Sequence, residues 1–178
     1  AELTYGADHV SIASIPSMFD RTIVINGFSK AFAMTGWRLG YVIACPRIID
    51  RVKKVHDFLT VGASAPLQIA AVTGLEFDDD YYKELQEHYT HMKEIFVGSL
   101  RKLGYRLTEP QGSYVVSVDL NEFGVKDDYK FCEWMIKNVG VAAVPGSSFF
   151  REKVDNLVRF HFAKKDETLK EALKRLST

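Results

Sequence analysis

Lys30 and Arg38 are the two residues of this sequence whose types and spacing most favour chemistry. They lie eight positions apart in a glycine-containing segment between two apolar runs, residues 23–25 and 39–44. Both runs have the length and β-branched content that predict buried strands. A lysine placed just beyond a buried strand, with three aromatic residues close by in sequence, would be partly desolvated, which disfavours its charged form.

These two side chains together suit a phosphorylated aldehyde. A neutral lysine amine is a nucleophile towards a carbonyl carbon, which makes Lys30 a candidate for a Schiff base. Arg38 stays charged at any working pH and presents a planar fork of donors suited to phosphate. A lysine pointing into solvent and an arginine paired with a carboxylate would have the same residue types, so the types alone leave both interpretations open.

The order of residues in the segment is more specific than their types. Residues 26–30 are Asn-Gly-Phe-Ser-Lys, and residues 34–41 are Met-Thr-Gly-Trp-Arg-Leu-Gly-Tyr. This order closely resembles the cofactor-lysine segment of the aspartate aminotransferase family, the fold-type I enzymes that use pyridoxal 5'-phosphate (PLP). The resemblance implies a Schiff base between Lys30 and PLP, with Arg38 and Ser29 at the cofactor phosphate.

One position departs from the family pattern. Gly27 stands three residues before the lysine, where the family usually has a serine whose hydroxyl binds the phosphate. We therefore expect phosphate binding to be weaker, or to rely on backbone N–H groups instead.

Arg159 lies in a second segment that resembles the family. Alternation in residues 157–162 places this arginine on the face opposite three apolar side chains, which are expected to face the core. By its type alone, Arg159 could pair with a surface carboxylate. The resemblance implies instead that it binds the α-carboxylate of the substrate through two parallel hydrogen bonds. The proline-glycine-serine segment at residues 145–149 is also common in the family.

The remaining pattern predicts helices and strands typical of an α/β protein. Periodicity indicates a long helix, and alternation after residue 104 indicates strands. With the resemblance, this implies the C-terminal part of a fold-type I PLP transferase. Its predicted parts are the tail of the large α/β domain (1–79), a bridging helix of roughly 36 Å (80–103) and an α+β small domain (104–178).

Composition limits the other classes of function. The 178 residues contain 23 Lys plus Arg and 23 Asp plus Glu, so there is no electrostatic case for nucleic acid or an anionic membrane. No apolar run reaches the roughly eighteen residues of a membrane span, and no signal-peptide pattern is present, which favours the cytoplasm. Cys45 and Cys132 lack metal-ligand spacing, and His88 and His91 lack a third ligand, so we predict no metal site.

The resemblance implies an aminotransferase that moves an amino group between an α-amino acid and a 2-oxo acid. Aspartate, an aromatic amino acid or a broad range of amino acids is the expected donor. The full-length protein is expected to be a homodimer, with the family's contacts to the cofactor ring upstream of Ala1, so the segment alone should be inactive. Two alternatives stay open: a related PLP-dependent lyase or synthase, and a non-catalytic aminotransferase-like effector domain.

Overall fold

The computed structural model describes residues 3–177, which divide into two compact units. The N-terminal unit comprises residues 8–82, and the C-terminal unit comprises residues 3–7 and 83–177. No helix within the described part of the chain is both long and apolar enough to cross a membrane.

The segment with Lys30 and Arg38 lies within a two-stranded antiparallel hairpin of the N-terminal unit. Strand β1 (Val24–Gly27) pairs with β2 (Gly40–Ile43), and the short helix α1 (Phe28–Ala31) and a 3-10 turn (Thr35–Trp37) lie between them. The strands form as predicted, but the prediction that they are buried is wrong, because Ile25 is 78% exposed. Within residues 3–177 no third strand joins this sheet, and Ile43 on β2 is likewise exposed.

Two helices complete the N-terminal unit. Helix α2 (Pro46–Thr60) begins at the proline that predicts it, because a missing N–H costs nothing in the first turn of a helix. Helix α3 (Ala65–Leu75) has a sequence that predicts packing on several sides, yet it buries only Ala71 and Gly74. Ile69 on the same helix is 73% exposed, so much of its apolar surface has no neighbour within the described residues.

Helix α4 (Asp79–Lys102) has the length and register that the periodicity predicts. The Asp78 carboxylate accepts a hydrogen bond from the Tyr81 backbone N–H at 3.2 Å, which caps the start of the helix. The buried stripe of α4 packs into the core of the C-terminal unit and consists of Met92, Phe96, Val97 and Leu100.

The C-terminal unit is an α+β structure built on a four-stranded antiparallel sheet. The strand order is β3-β4-β6-β5, and one face of β4 and β6 is almost completely buried. Helices α4, α5 and α6 supply the other half of this core. The bounds of the remaining elements are β3 Arg106–Leu107, β4 Val115–Asp119, α5 Asp128–Asn138, β5 Val144–Pro145, β6 Leu157–His161 and α6 Asp166–Leu176.

Residues 3–7 belong to the C-terminal unit although they precede the hairpin in sequence. The sequence predicts only a loop here. In the structure the Tyr5 backbone N–H donates to the Gln111 carbonyl at 2.9 Å, and the Tyr5 hydroxyl donates to the Ser113 carbonyl at 2.7 Å. These contacts join positions more than a hundred residues apart, which no local pattern encodes.

Gly146 offers a test of how tightly the C-terminal unit is packed. A Cβ at this position would lie 2.6 Å from the Leu157 Cβ and 2.9 Å from the Leu157 carbonyl oxygen. Gly146→Ala should therefore lower the free energy of unfolding by about 1–3 kcal/mol, as overpacking does. Chemical denaturation of the full-length protein measures the change.

Gly98→Ala is the matched control, since Gly98 lies within α4 and its Cβ would meet open space. Alanine should raise stability there by up to about 1 kcal/mol, because glycine is a poor helix former. Equal unfolding midpoints for the two variants would contradict the tight contact at Gly146.

Candidate functional site

The closed end of the hairpin places Lys30 and Arg38 close in the fold. Gly27 pairs with Gly40, and the Phe28 backbone N–H donates to the Leu39 carbonyl at 3.2 Å. Lys30 follows Gly27 by three residues, and Arg38 precedes Gly40 by two. Both side chains therefore leave the backbone at the same end of the hairpin.

A close backbone approach fixes this end of the hairpin. A Cβ at Gly40 would lie 2.7 Å from the Asn26 carbonyl oxygen, so only glycine allows the strands to meet as they do. The Asn26 side chain also accepts from the Gly27 N–H at 2.8 Å and donates to the Tyr41 hydroxyl at 3.0 Å. The Asn26 side chain thus makes hydrogen bonds to both strands, just before the turn that contains Lys30.

Thr35 connects the lysine turn to the arginine turn. Its hydroxyl donates to the Ser29 carbonyl at 3.0 Å, and its own carbonyl accepts from Arg38 Nη1 at 2.9 Å. Arg38 adopts a left-handed backbone conformation, with φ 57° and ψ 39°. A non-glycine residue pays about 1–2 kcal/mol for that conformation, and such strain is found most often at functional sites.

Aromatic side chains pack at helix α1, the short helix that includes Lys30. Phe28 is buried with Leu39 and Ala71, and Phe32 stacks on Tyr81 with ring centroids 5.9 Å apart. The Tyr81 hydroxyl donates to the Ala31 carbonyl at 2.6 Å, at the last residue of α1. Desolvation raises the pKa of Tyr81, with a smaller contribution from Tyr82, so this phenol stays protonated as a donor. The sequence gives no sign of this contact, which joins positions fifty residues apart.

Lys30 is exposed, which corrects the expectation that the surrounding residues desolvate it. The two strands that predict desolvation are mostly exposed themselves. The aromatic residues Phe28 and Phe32 pack against other parts of the N-terminal unit. None of the ion pairs among residues 3–177 involves Lys30, Arg38 or Arg159. Their charged groups therefore have no carboxylate partner within the described part of the chain.

The donor set at the hairpin end fits PLP. A primary amine suits the aldehyde, while a guanidinium and the half-buried Ser29 suit the phosphate. Gly27 is also compatible with the serine that the family usually has. Its backbone is extended at φ −136°, and an added Cβ would lie 3.6 Å from the Leu39 carbonyl, an ordinary contact.

Arg159 lies in the C-terminal unit, on the central part of β6. The predicted alternation is confirmed, because Val158 and Phe160 are buried while Arg159 points to the other face. Ser117 and Val144 pair with it on the neighbouring strands. The structure thus groups Ser29, Lys30 and Arg38 in one unit and places Arg159 in the other.

Two other features of the C-terminal unit lie apart from these residues. His91 Nε2 lies 3.0 Å from the Asp166 carboxylate, and this hydrogen bond is the main reason that the pKa of Asp166 is lowered. A largely apolar cavity of about 520 Å³ is lined by Tyr105, Phe131 and Trp134 among others, but by none of the four predicted site residues.

Comparison with known proteins places these observations in a family. The sequence profile described as "Aminotransferase class I and II" matches residues 1–176. The methionine aminotransferase of Escherichia coli is 33% identical over 94% of this chain and 44% of its own length. The aspartate aminotransferase of Thermotoga maritima is 36% identical over 98% of this chain and 44% of its own length.

The fold agrees with the sequence comparison. The crystal structure of an aromatic aminotransferase from Pyrococcus horikoshii superimposes with a TM-score of 0.90 at 36% identity, over 99% of this chain and 48% of that one. The predicted fold-type I transferase fold is thereby confirmed. This chain spans a little under half the length of the relatives it matches.

The Tyr81 contact leads to a stability prediction. Tyr81→Phe removes the hydrogen bond to Ala31 and leaves a partly buried carbonyl without its donor, so unfolding should become easier by about 1 kcal/mol. Tyr82→Phe is the control, since no partner of the Tyr82 hydroxyl is found among residues 3–177. Thermal unfolding of the full-length protein compares the two, and equal midpoints would count against the Tyr81 bond.

Proposed function

This chain belongs to the class I and II aminotransferase family, and from that premise we propose that the full-length protein is a PLP-dependent aminotransferase with Lys30 as its cofactor lysine. It would move an amino group from an α-amino acid to a 2-oxo acid. The observation that carries the proposal is the pair of hydrogen bonds at the end of the hairpin. Through them Thr35 connects Ser29, the neighbour of Lys30, to Arg38.

Three residues of the N-terminal unit would hold the cofactor. The amine of Lys30 would attach covalently to the aldehyde, and Arg38 would bind the phosphate through its free N–H groups. Thr35 accepts one Arg38 N–H, which limits the rotation of the guanidinium while leaving other donors available. The Ser29 hydroxyl would add one neutral hydrogen bond to the phosphate.

The chemistry divides between the cofactor and the chain. When bound, PLP supplies an electron-withdrawing ring that stabilises negative charge developing on the substrate's Cα. Lys30 Nζ would be the base that removes the Cα proton of the substrate. Lys30 forms no ion pair among the described residues that would hold its amine away from the substrate.

Arg159 would anchor the substrate by its α-carboxylate. Its guanidinium has no competing carboxylate among residues 3–177, so two parallel N–H groups remain for the ligand. Holding the carboxylate restricts rotation about Cα, and this orientation contributes to the rate of proton removal.

The proposed donors are aspartate or aromatic amino acids, or a broader set that includes methionine, in line with the names of the relatives. A cytoplasmic homodimer is the proposed assembly. The exposed apolar side chains of the N-terminal unit support further contacts there, since Phe58 is 92% and Val61 85% exposed. Surfaces of this kind in soluble proteins mark interaction sites.

Lys30→Ala tests the central assignment. The full-length wild-type enzyme should convert 2-oxoglutarate to glutamate with L-aspartate, L-methionine or L-phenylalanine as donor, and the variant should lose this activity. Borohydride reduction followed by peptide mass spectrometry should find PLP on Lys30 only. Lys54→Ala, at an exposed lysine of the same unit, is the control and should keep both. An adduct on another lysine, or release of 2-oxo acid without glutamate, would refute the proposal.

Gly27→Ser tests the phosphate site. The extended backbone admits the side chain, and a hydroxyl on a charged phosphate contributes about 1.5 kcal/mol or more, so PLP should bind roughly tenfold more tightly. Gly27→Ala adds the Cβ without the hydroxyl and should bind PLP like the wild type. Equilibrium titration of the full-length apoenzyme with PLP measures both, and identical dissociation constants for the two variants would contradict the prediction.

A further inference from the structure

Arg159 is held by an aromatic ring in place of an acid. Its guanidinium carbon Cζ lies over the ring of Phe149, 3.7 Å from the ring centroid. A ring attracts the cation through its electron-rich face and takes up no N–H donor of the guanidinium. A carboxylate at the same place would occupy the donors that a second carboxylate needs. The contact therefore orients Arg159 and leaves its hydrogen-bonding edge available.

The ring itself is held through a buried acid on another element. Phe149 ends a 3-10 turn (Gly146–Phe149), and Ser147 within that turn donates twice to Asp128. The Ser147 backbone N–H meets Asp128 Oδ2 at 2.7 Å, and its hydroxyl meets Oδ1 at 2.7 Å. Both carboxylate oxygens are thus used, and the turn is fixed in position and rotation.

Asp128 is a buried acid that holds this turn through both of its oxygens. It is only 2% exposed, and burying a charged group is costly unless strong hydrogen bonds compensate. The first turn of α5 favours a negative charge at this position. On the opposite side the turn packs against β6, where Gly146 leaves no room for a Cβ beside Leu157.

We propose that Phe149 is a positioning residue for the substrate-binding arginine, and that Asp128 acts on Arg159 through Ser147 and Phe149. This inference rests on the proposed function of Arg159 as the carboxylate anchor. An arginine side chain loses rotamer entropy when it binds a ligand, and the ring removes part of that loss beforehand. The acid lies 19 residues before the serine it binds, so only the fold connects it to the site.

L-Alanine and ethylamine are a matched pair of probes for the test. They differ only in the carboxylate, and neither depends on contacts with a longer side chain. The first half-reaction of the full-length PLP enzyme is followed by cofactor absorbance. Phe149→Leu should raise the KM for L-alanine about two- to fivefold, the size expected for an exposed cation–π contact, and leave the limiting rate largely unchanged. The kcat/KM for ethylamine should stay the same.

Three further variants sharpen the test. Phe149→Tyr keeps the ring face and should restore the wild-type KM for L-alanine. Phe150→Leu is the matched control, because Phe150 is as exposed as Phe149, at 49%, and has no ring contact with Arg159. Asp128→Asn replaces one acceptor of the Ser147 pair with a donor, so it should reproduce the Phe149→Leu effect. The dissociation constant of propionate, measured by equilibrium titration, should rise in Phe149→Leu and Asp128→Asn and stay at the wild-type value in Phe149→Tyr and Phe150→Leu.

Arg159→Lys separates this inference from the function on which it rests. If Arg159→Lys weakens L-alanine selectively but Phe149→Leu does not, the positioning role is overturned and the anchor stands. Equal losses for L-alanine and ethylamine in Phe149→Leu would make the ring a general structural element and would also overturn it. If Arg159→Lys leaves the KM for L-alanine unchanged, both the anchor and the positioning role are refuted.

Discussion

The close approach of two backbones at the end of the β1–β2 hairpin is the constraint on which the lysine site depends. The Asn26 carbonyl occupies the space that a side chain at Gly40 would need, so the strands meet at a distance that fixes the turn between them. Three features of the turn depend on this approach of the strands. They are the hydrogen bond from Phe28 to Leu39, the hydrogen bonds that join Thr35 to Ser29 and Arg38, and the left-handed backbone of Arg38. Arg38 contributes one side-chain hydrogen bond to the turn, and Lys30 contributes no ion pair among the described residues.

Local patterns in the sequence predicted what local physics decides. The start of α2 at Pro46, the cap of α4 by Asp78, and the face of β6 that carries Arg159 all follow from residues within a few positions of one another. The prediction that the hairpin is buried is wrong. Apolar strands indicate that other residues should cover them, but the pattern does not show whether those residues lie within this chain. The Tyr81–Ala31, Ser147–Asp128 and Phe149–Arg159 contacts were missed because only the folded chain brings these residues together.

Charges in this chain follow two different rules. Several surface cations are neutralised locally, as where Lys93 and Arg101 share Glu109, whose pKa is lowered chiefly by the Lys93 hydrogen bond. Lys30, Arg38 and Arg159 have no such acid among the described residues; Arg38 is held by the Thr35 carbonyl and Arg159 by the ring of Phe149. A net charge of zero thus does not mean that every cation is paired with an acid within the described residues.

The pairing of β6 has a consequence for the order in which the two segments can fold. Strands β1 and β2 are complete once residue 43 has been synthesised, and they close across a short connection. The strand with Arg159 pairs with residues 38 to 46 positions earlier, so its closure must wait until residue 161 has been synthesised and must overcome a larger loss of chain entropy. During synthesis the turn that carries the lysine can therefore be ordered well before the arginine strand takes its place in the sheet.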